Sequence, residues 1–246
     1  MPWRSTAVQV TLDVFASEIV VERSTGETRH IALLPARTVA DTFAELQSAF
    51  DALDVACAMS PTPQEIPDVT PLHEDRRPAA YDADAVRRWF AVMTASASVF
   101  DEWRAHFFGR TGIQLWWGAL DLALLLFNGK HCPAPTDRGY LMKYDLDAEM
   151  LNVGFYGGDE TTAPFFYGYL YPQPEAAPTL PMAPATASWS TAISEWTLPY
   201  DVVRAAPDPG AVVREFLDAL YAIAIATGGW DRAALSYDAP KRTREV

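Results

Sequence analysis

Asp121 stands in one of the most apolar stretches of the chain, residues 115–122 (LWWGALDL). A carboxylate is costly to bury unless it is hydrogen-bonded or paired. Two readings follow: a general acid or base whose pKa is shifted by desolvation, or a structural acceptor served by the backbone or by an arginine such as Arg110. Glu149, just ahead of another strand-like run, is the second acid/base candidate. Around them Trp117, Tyr156, Tyr167 and Tyr171, with the amide of Gln114, would supply an apolar pocket with a few polar handles, the usual build of a small-molecule site. The same rings would serve equally as core packing.

Other chemistries are poorly served. The four histidines, His30, His73, His106 and His131, are each alone in their local sequence. His131 adjoins Cys132, and both are good transition-metal ligands, but neighbours in an extended chain point apart. A metalloenzyme using His131 therefore ranks last, and no cofactor is expected. The two cysteines, Cys57 and Cys132, fit no ligand spacing and read as thiols. Glycine loops for phosphate, the G-x-S-x-G elbow and the H-E-x-x-H pair are absent.

The elements that must hold these groups are legible in part. Val8, Val10, Leu12 and Val14 alternate with polar residues, a half-buried strand, and runs 18–23 and 29–34 follow to form a β-hairpin or meander. Thr38 and Asp41 form a capping-box pair ahead of a helix ending near Leu53. Residues 55–58 read as a short strand and residues 60–81 as a proline-rich loop carrying an ionic cluster at 73–77. Asp82 or Asp84 caps a second helix with its stripe at Val86, Trp89, Phe90, Met93, Ala97, Phe100, Trp103 and Phe107. Residues 113–127 are too apolar to separate two strands kinked at Gly118 from a buried helix, and strands are adopted here. Runs 151–156, 165–171 and 195–198 read as strands, and Asp208-Pro209 opens the last helix, stopped by Gly228-Gly229. Strands clustered apart from helices predict an α+β fold, a mostly antiparallel sheet with about three amphipathic helices packed against it, in a single compact domain over 1–246.

Composition bounds the partners. The chain has 246 residues, half of them hydrophobic, and a formal net charge of −13. It can bury a large core, and its charge opposes attraction to nucleic-acid phosphates or anionic lipid. Residues 113–127 are too short and too interrupted to span a membrane. The N-terminus lacks a secretion pattern, so the cytoplasm is the expected location. Lysine is scarce beside arginine and alanine, a bias associated with bacterial genomes.

The segments GETRHIALLPARTVADTFAEL, PQEIPDVTPLHEDRRPAAYD, WWGALDLALLLFNGKHCPAP, VGFYGGD, FFYGYLYPQPE, LPYDVVR and GWDRAALS resemble, in order and spacing, the bacterial domain of unknown function 5996 family. The resemblance covers about residues 10–235 and implies no established activity. It implies a further N-terminal segment rich in Trp and His that this sequence is expected to lack. It also implies histidines where Gln114 and Ala148 stand here, and a glutamate where Gln173 stands. Two histidines and a carboxylate converging from separate strands would suit a metal or acid/base site, which these replacements would remove.

The leading expectation is a cytosolic small-molecule-binding protein, open to being a metal-independent enzyme that works through Asp121 and Glu149. The rival is a catalytically degenerate homologue acting as a binding or assembly partner, including a homo-oligomer.

Overall fold

The computed structural model describes residues 1–63, 68–116, 118–135 and 145–236. The chain forms two compact units, Met1–Val92 and Met93–Val246, in an α+β fold with two antiparallel sheets.

In the first unit, β1 (Pro2–Trp3), β2 (Thr6–Asp13), β3 (Glu18–Arg23) and β4 (Thr28–Ala32) lie in that order. Period-two alternation places Val8, Ile19, Val21 and Ile31 on one face, where they bury against Ala49, Phe50 and Leu53 of the following helical segment and against Val55. That segment is α1 (Val39–Ala52) and its cap. The capping box is formed: Thr38 Oγ1 accepts from the Asp41 amide at 3.1 Å, and the Thr38 amide donates to Asp41 Oδ2 at 3.4 Å. The strand expected at 55–58 is not one. Those residues pair with no neighbour, and Val55 is instead a buried plug under the sheet.

The ionic cluster of the proline-rich loop ties that loop together. Arg77 bridges Asp68 at 2.5 Å and Asp75 at 2.6 Å, which holds the Asp75 carboxyl down at about 2. Asp82 Oδ1 accepts from the amides of Asp84 and Ala85 at the start of α2 (Ala83–Arg104).

The second unit holds a six-stranded sheet in the order β5-β6-β7-β8-β10-β9. Its strands are β5 (Gln114–Leu115), β6 (Leu122–His131), β7 (Ala148–Tyr156), β8 (Phe165–Tyr171), β9 (Ser188–Ser190) and β10 (Glu195–Pro199). The apolar run 113–127 is thus strand, not helix. It turns where Gly118 and Leu120 take positive φ, 77° and 53°. Between β10 and the long helix stands a short α3 (Tyr200–Ala205); α4 (Pro209–Thr227) and α5 (Arg232–Leu235) follow. Asp208 caps α4 through the Ala211 amide at 2.9 Å, with Pro209 in the first turn.

One face of this sheet is core. Leu124, Val153, Gly168 and Trp196 share it by register and alternation, and α4 packs there so closely that a Cβ on Gly168 would lie 2.3 Å from Leu220 Cδ1. Phe100 of α2 meets Phe166 edge-on at 6.2 Å, and Trp103 Nε1 donates to Asp218 at 2.9 Å. Among the described residues, no helix is long and apolar enough to cross a membrane.

The cap on α1 gives a clean test. Thr38→Ala is expected to lower stability by about 1 kcal/mol in urea titration, and Thr38→Ser to restore most of it.

Candidate functional site

The opposite face of the six-stranded sheet carries the chemistry. In β8 the sequence FFYGYLY sends Phe165, Tyr167, Tyr169 and Tyr171 to this side, and Phe166, Gly168 and Leu170 to the core. Cross-strand register sets Tyr167 opposite Gly154 and Thr197, Tyr169 opposite Asn152, and Tyr171 opposite Met150. Continuing the β8–β10 register by one residue puts Glu195 beside Tyr169.

Asp121 is brought here by the turn between β5 and β6, which the Trp116 amide closes on the Asp121 carbonyl at 2.9 Å. Its carboxylate accepts a hydrogen bond from the Tyr167 hydroxyl. To reach it the Tyr167 ring crosses β7 over Gly154. A Cβ there would lie 2.3 Å from Tyr167 Cζ and 2.5 Å from the Leu122 carbonyl oxygen. Only glycine leaves room for that crossing. Burial, then the charge of Asp121 and its hydrogen bond, push the Tyr167 hydroxyl far above its ordinary value.

Three carboxylates from separate segments, Glu195, Asp145 and Asp121, act on the Tyr169 hydroxyl. Its pKa rises to about 12, chiefly through burial, against the lowering effect of the Asn152 side-chain amide that donates to it at 3.0 Å. Asn152 Oδ1 is closed off from solvent and has no donor among the described residues. Glu195 is half-buried, and its carboxyl makes no hydrogen bond or ion pair among the described residues. Burial first, and then the charge of Asp121, push it up to about 7. Beyond Tyr169 the face turns apolar: Leu125, Leu146 and Met150 are buried there, with Trp116, Phe127, Tyr169 and Tyr171 packed against them.

Of the residues singled out from the sequence, Asp121, Tyr156, Tyr167 and Tyr171 share this face. Tyr156 donates to Asp159 at 2.5 Å; burial, that bond and the charges of Asp159 and Asp121 raise its pKa to about 12. Gln114 is exposed on β5 opposite Ala123, in the Gly154–Tyr167 row. Trp117 lies outside the described residues. Glu149 is not brought to Asp121. By alternation it belongs to the other side of β7, where it accepts from Asn128 Nδ2 at 2.5 Å and lies 3.9 Å from Lys130 Nζ.

The pair His131 and Cys132 separates as alternation requires: His131 is exposed with Nδ1 at the Asp147 carbonyl, and Cys132 is buried with Sγ 3.7 Å from the Leu146 carbonyl. Among the described residues, no three His, Cys, Asp or Glu side chains group as metal ligands. Gln114 and Ala148 share a face, but the β7 position in Gln114's row is Gly154, six residues from Ala148 or about 20 Å along the strand. Side chains at those two positions could not meet on one ion. A shallow depression of about 500 Å³ lies elsewhere, in the first unit, lined by Met1, Val8, Val10, Glu22, Phe50 and Cys57.

Glu195, Asn152 and Asp145 are the site residues that sequence reasoning missed. Glu195-Trp196-Thr197-Leu198 does alternate polar with apolar, so a polar face for β10 was readable. Its place beside β8 was not, because strand order leaves no mark on a single sequence.

Two outcomes follow. Gly154→Ala drives Tyr167 off Asp121 and is expected to cost more stability, about 2–3 kcal/mol, than Tyr167→Phe, about 1 kcal/mol, by chemical denaturation. For Glu195 the folded pKa of about 7 exceeds the ordinary 4.5, so the fold binds this proton more tightly than the unfolded chain does. Stability from this group is complete below about pH 4.5 and declines as pH rises to about 7. Glu195→Gln should match wild type near pH 4.5 and exceed it by about 2 kcal/mol at pH 8; a pH-independent difference would contradict the assignment.

No curated protein and no solved structure matches the chain. A family model described as a family of unknown function, DUF5996, matches residues 1–237. That match, spanning nearly the whole sequence and both sheets, places the chain in the DUF5996 family.

Proposed function

We propose that the protein binds a small molecule over the tyrosine face of the six-stranded sheet, with Glu195 as the acid/base group and the Asp121–Tyr167 pair as its fixed neighbour. The observation that carries this reading is a half-buried carboxyl without a hydrogen bond or ion pair among the described residues, set among tyrosine hydroxyls. Structural carboxylates in such places are normally satisfied; one left open is available to a ligand. A pKa of about 7 suits proton transfer at neutral pH in either direction. Burial and then the charge of Asp121 set that value, and Tyr171, Trp116 and Phe127 offer the apolar wall. The reading includes a bacterial, cytoplasmic setting, supported by the free thiols of Cys57 and Cys132.

Native mass spectrometry of the purified chain tests it. Wild type should carry or take up an organic ligand that Glu195→Gln and Asp121→Asn lose while still unfolding cooperatively. Retention of the ligand by both variants would count against the site.

A second reading, assembly, is favoured by the first unit. Val8 pairs outward with Met1, so Val10 and Leu12, at the same parity on β2, present their backbone groups to an edge on which β1 covers only Thr6 and Ala7. Their side chains are 45% and 61% exposed, and Phe15, which meets Phe90 edge-on at 5.9 Å, is 69% exposed. An edge of this kind pairs with a second copy of itself about a two-fold axis. Sedimentation equilibrium should then show a dimer that Leu12→Lys abolishes; a monomer at all concentrations would dismiss this reading.

A further inference from the structure

The open edge of β2 can meet a copy of itself in very few ways. The Ser24 amide donates to the Ala7 carbonyl at 2.9 Å, so Ala7, Gln9, Thr11 and Asp13 direct their backbone groups to β3, and Val8, Val10 and Leu12 direct theirs outward. Met1 holds the place opposite Val8, through bonds of 2.7 and 2.5 Å. Val10 and Leu12 stand beyond it.

Two copies related by a two-fold axis pair antiparallel. Facing residues lie on the same side of the sheet, so the axis passes through a single residue of β2. An axis at Thr11, Val10 or Gln9 sets Val14, Leu12 or Val10 of the second copy opposite Val8, where Met1 already lies. An axis at Asp13 opposes two like charges, and one beyond it leaves the strand, which ends there. Leu12 alone is left. With the axis at Leu12, that residue faces its own copy, Val10 faces Val14 and Thr11 faces Asp13.

The side chains suit this register. Val10 and Leu12, 45% and 61% exposed, gain apolar neighbours. Thr11 Oγ1 accepts from Gln9 Nε2 at 2.9 Å, so its own proton is left for the facing Asp13, whose Oδ1 is engaged by the Phe15 and Ala16 amides. Residues Thr6 to Leu12 carry no charge, so the edge adds nothing to the general repulsion between two acidic chains. The depression of about 500 Å³ is a separate observation. It lies at the same edge, lined by Met1, Val8, Val10, Phe50 and Cys57 with Glu22. Val14 of the second copy would stand beside Val10, so the next residue, the 69% exposed Phe15, arrives at the mouth of the depression.

We propose that two copies of the chain join through β2 about a two-fold axis at Leu12, with Phe15 of each copy closing the depression of the other. This rests on the assembly reading made under Proposed function and adds its register and the contact at the depression. A second copy is the occupant because each open donor and acceptor of Leu12 and Val10 then meets one on the same segment. Association moves no covalent bond.

Disulfide trapping reads the register. Facing Cα atoms of a hydrogen-bonded antiparallel pair lie about 5.5 Å apart, within reach of a disulfide. Val10 and its copy would be roughly 14 Å apart. Full-length Leu12→Cys, at concentrations where wild type sediments as a dimer, should oxidise to a covalent dimer bridged at position 12 in both chains, and Val10→Cys should not. In wild type, labelling of Cys57 by N-ethylmaleimide should slow as concentration rises through the dimer range, and Phe15→Ser should remove that protection. Wild type that sediments as a monomer at all concentrations dismisses the assembly reading and the register together. A wild-type dimer in which Val10→Cys cross-links, or Leu12→Cys does not, overturns the register and leaves assembly standing. Cys57 labelling that is indifferent to concentration overturns the contact of Phe15.

Discussion

The seating of Leu220 on Gly168 decides which side of the six-stranded sheet is core. Side chains alternate along a strand, so fixing one residue against α4 fixes the rest of β8, and pairing carries that choice to β7, β10 and β6. Phe166 and Leu170 must follow Gly168 inward; Phe165, Tyr167, Tyr169 and Tyr171 must face the other way. Large aromatics are sent to the side that α4 does not cover. In the rows of Tyr167 and Tyr169 the residues on the neighbouring strands of β7 and β10 are small or polar, Gly154, Asn152, Thr197 and Glu195, with Ala123 beyond Gly154. The polar face thus follows from one close helix–sheet contact, and its chemistry comes from what the register brings opposite the tyrosines.

Within that face the two carboxylates are handled differently. Asp121 has a phenol donor delivered across the glycine gap at 154, a charge-assisted bond that fixes both groups. Glu195 has no donor among the described residues and feels the charge of Asp121. Desolvation without a partner favours the protonated acid of Glu195. One group is held still and the other is left to exchange its proton. A tertiary structure built only for stability would place a donor at Glu195, or a hydrophobe of similar size, and here it places neither.

The sequence was readable wherever a single segment carries its own signal. The Thr38–Asp41 box, the Asp208-Pro209 start and the alternation at 8–14 each depend on residues a few positions apart. Residues 55–58 misled because a short apolar run satisfies strand propensity while its place beneath α1 leaves no neighbour to pair with. Ser188–Ser190 is too short to show a period, and it is a strand because its backbone pairs with β10, where Trp189 meets Trp196 edge-on at 5.0 Å. At the site, Asp121 was legible because a carboxylate among tryptophans and leucines violates the local pattern. Glu149 violated no pattern; proximity in sequence to the aromatic strands suggested it, and alternation puts it on the wrong side.

Charge placement links the site to the composition of the whole chain. A net charge of −13 is usually a matter of solubility, and most described acidic groups here are exposed, with caps or arginines for company. The tyrosine face is different because Asp121 and Glu195 are half-buried there, while Arg104 and Arg204 form local pairs with Asp101 and Asp201. Both of those pairs are helical, with a spacing of three residues. Such pairs contribute little to stability on an exposed helix surface. Among the described residues, local pairing on the helices and a carboxylate without a counter-ion on the sheet are then two aspects of one arrangement of charge.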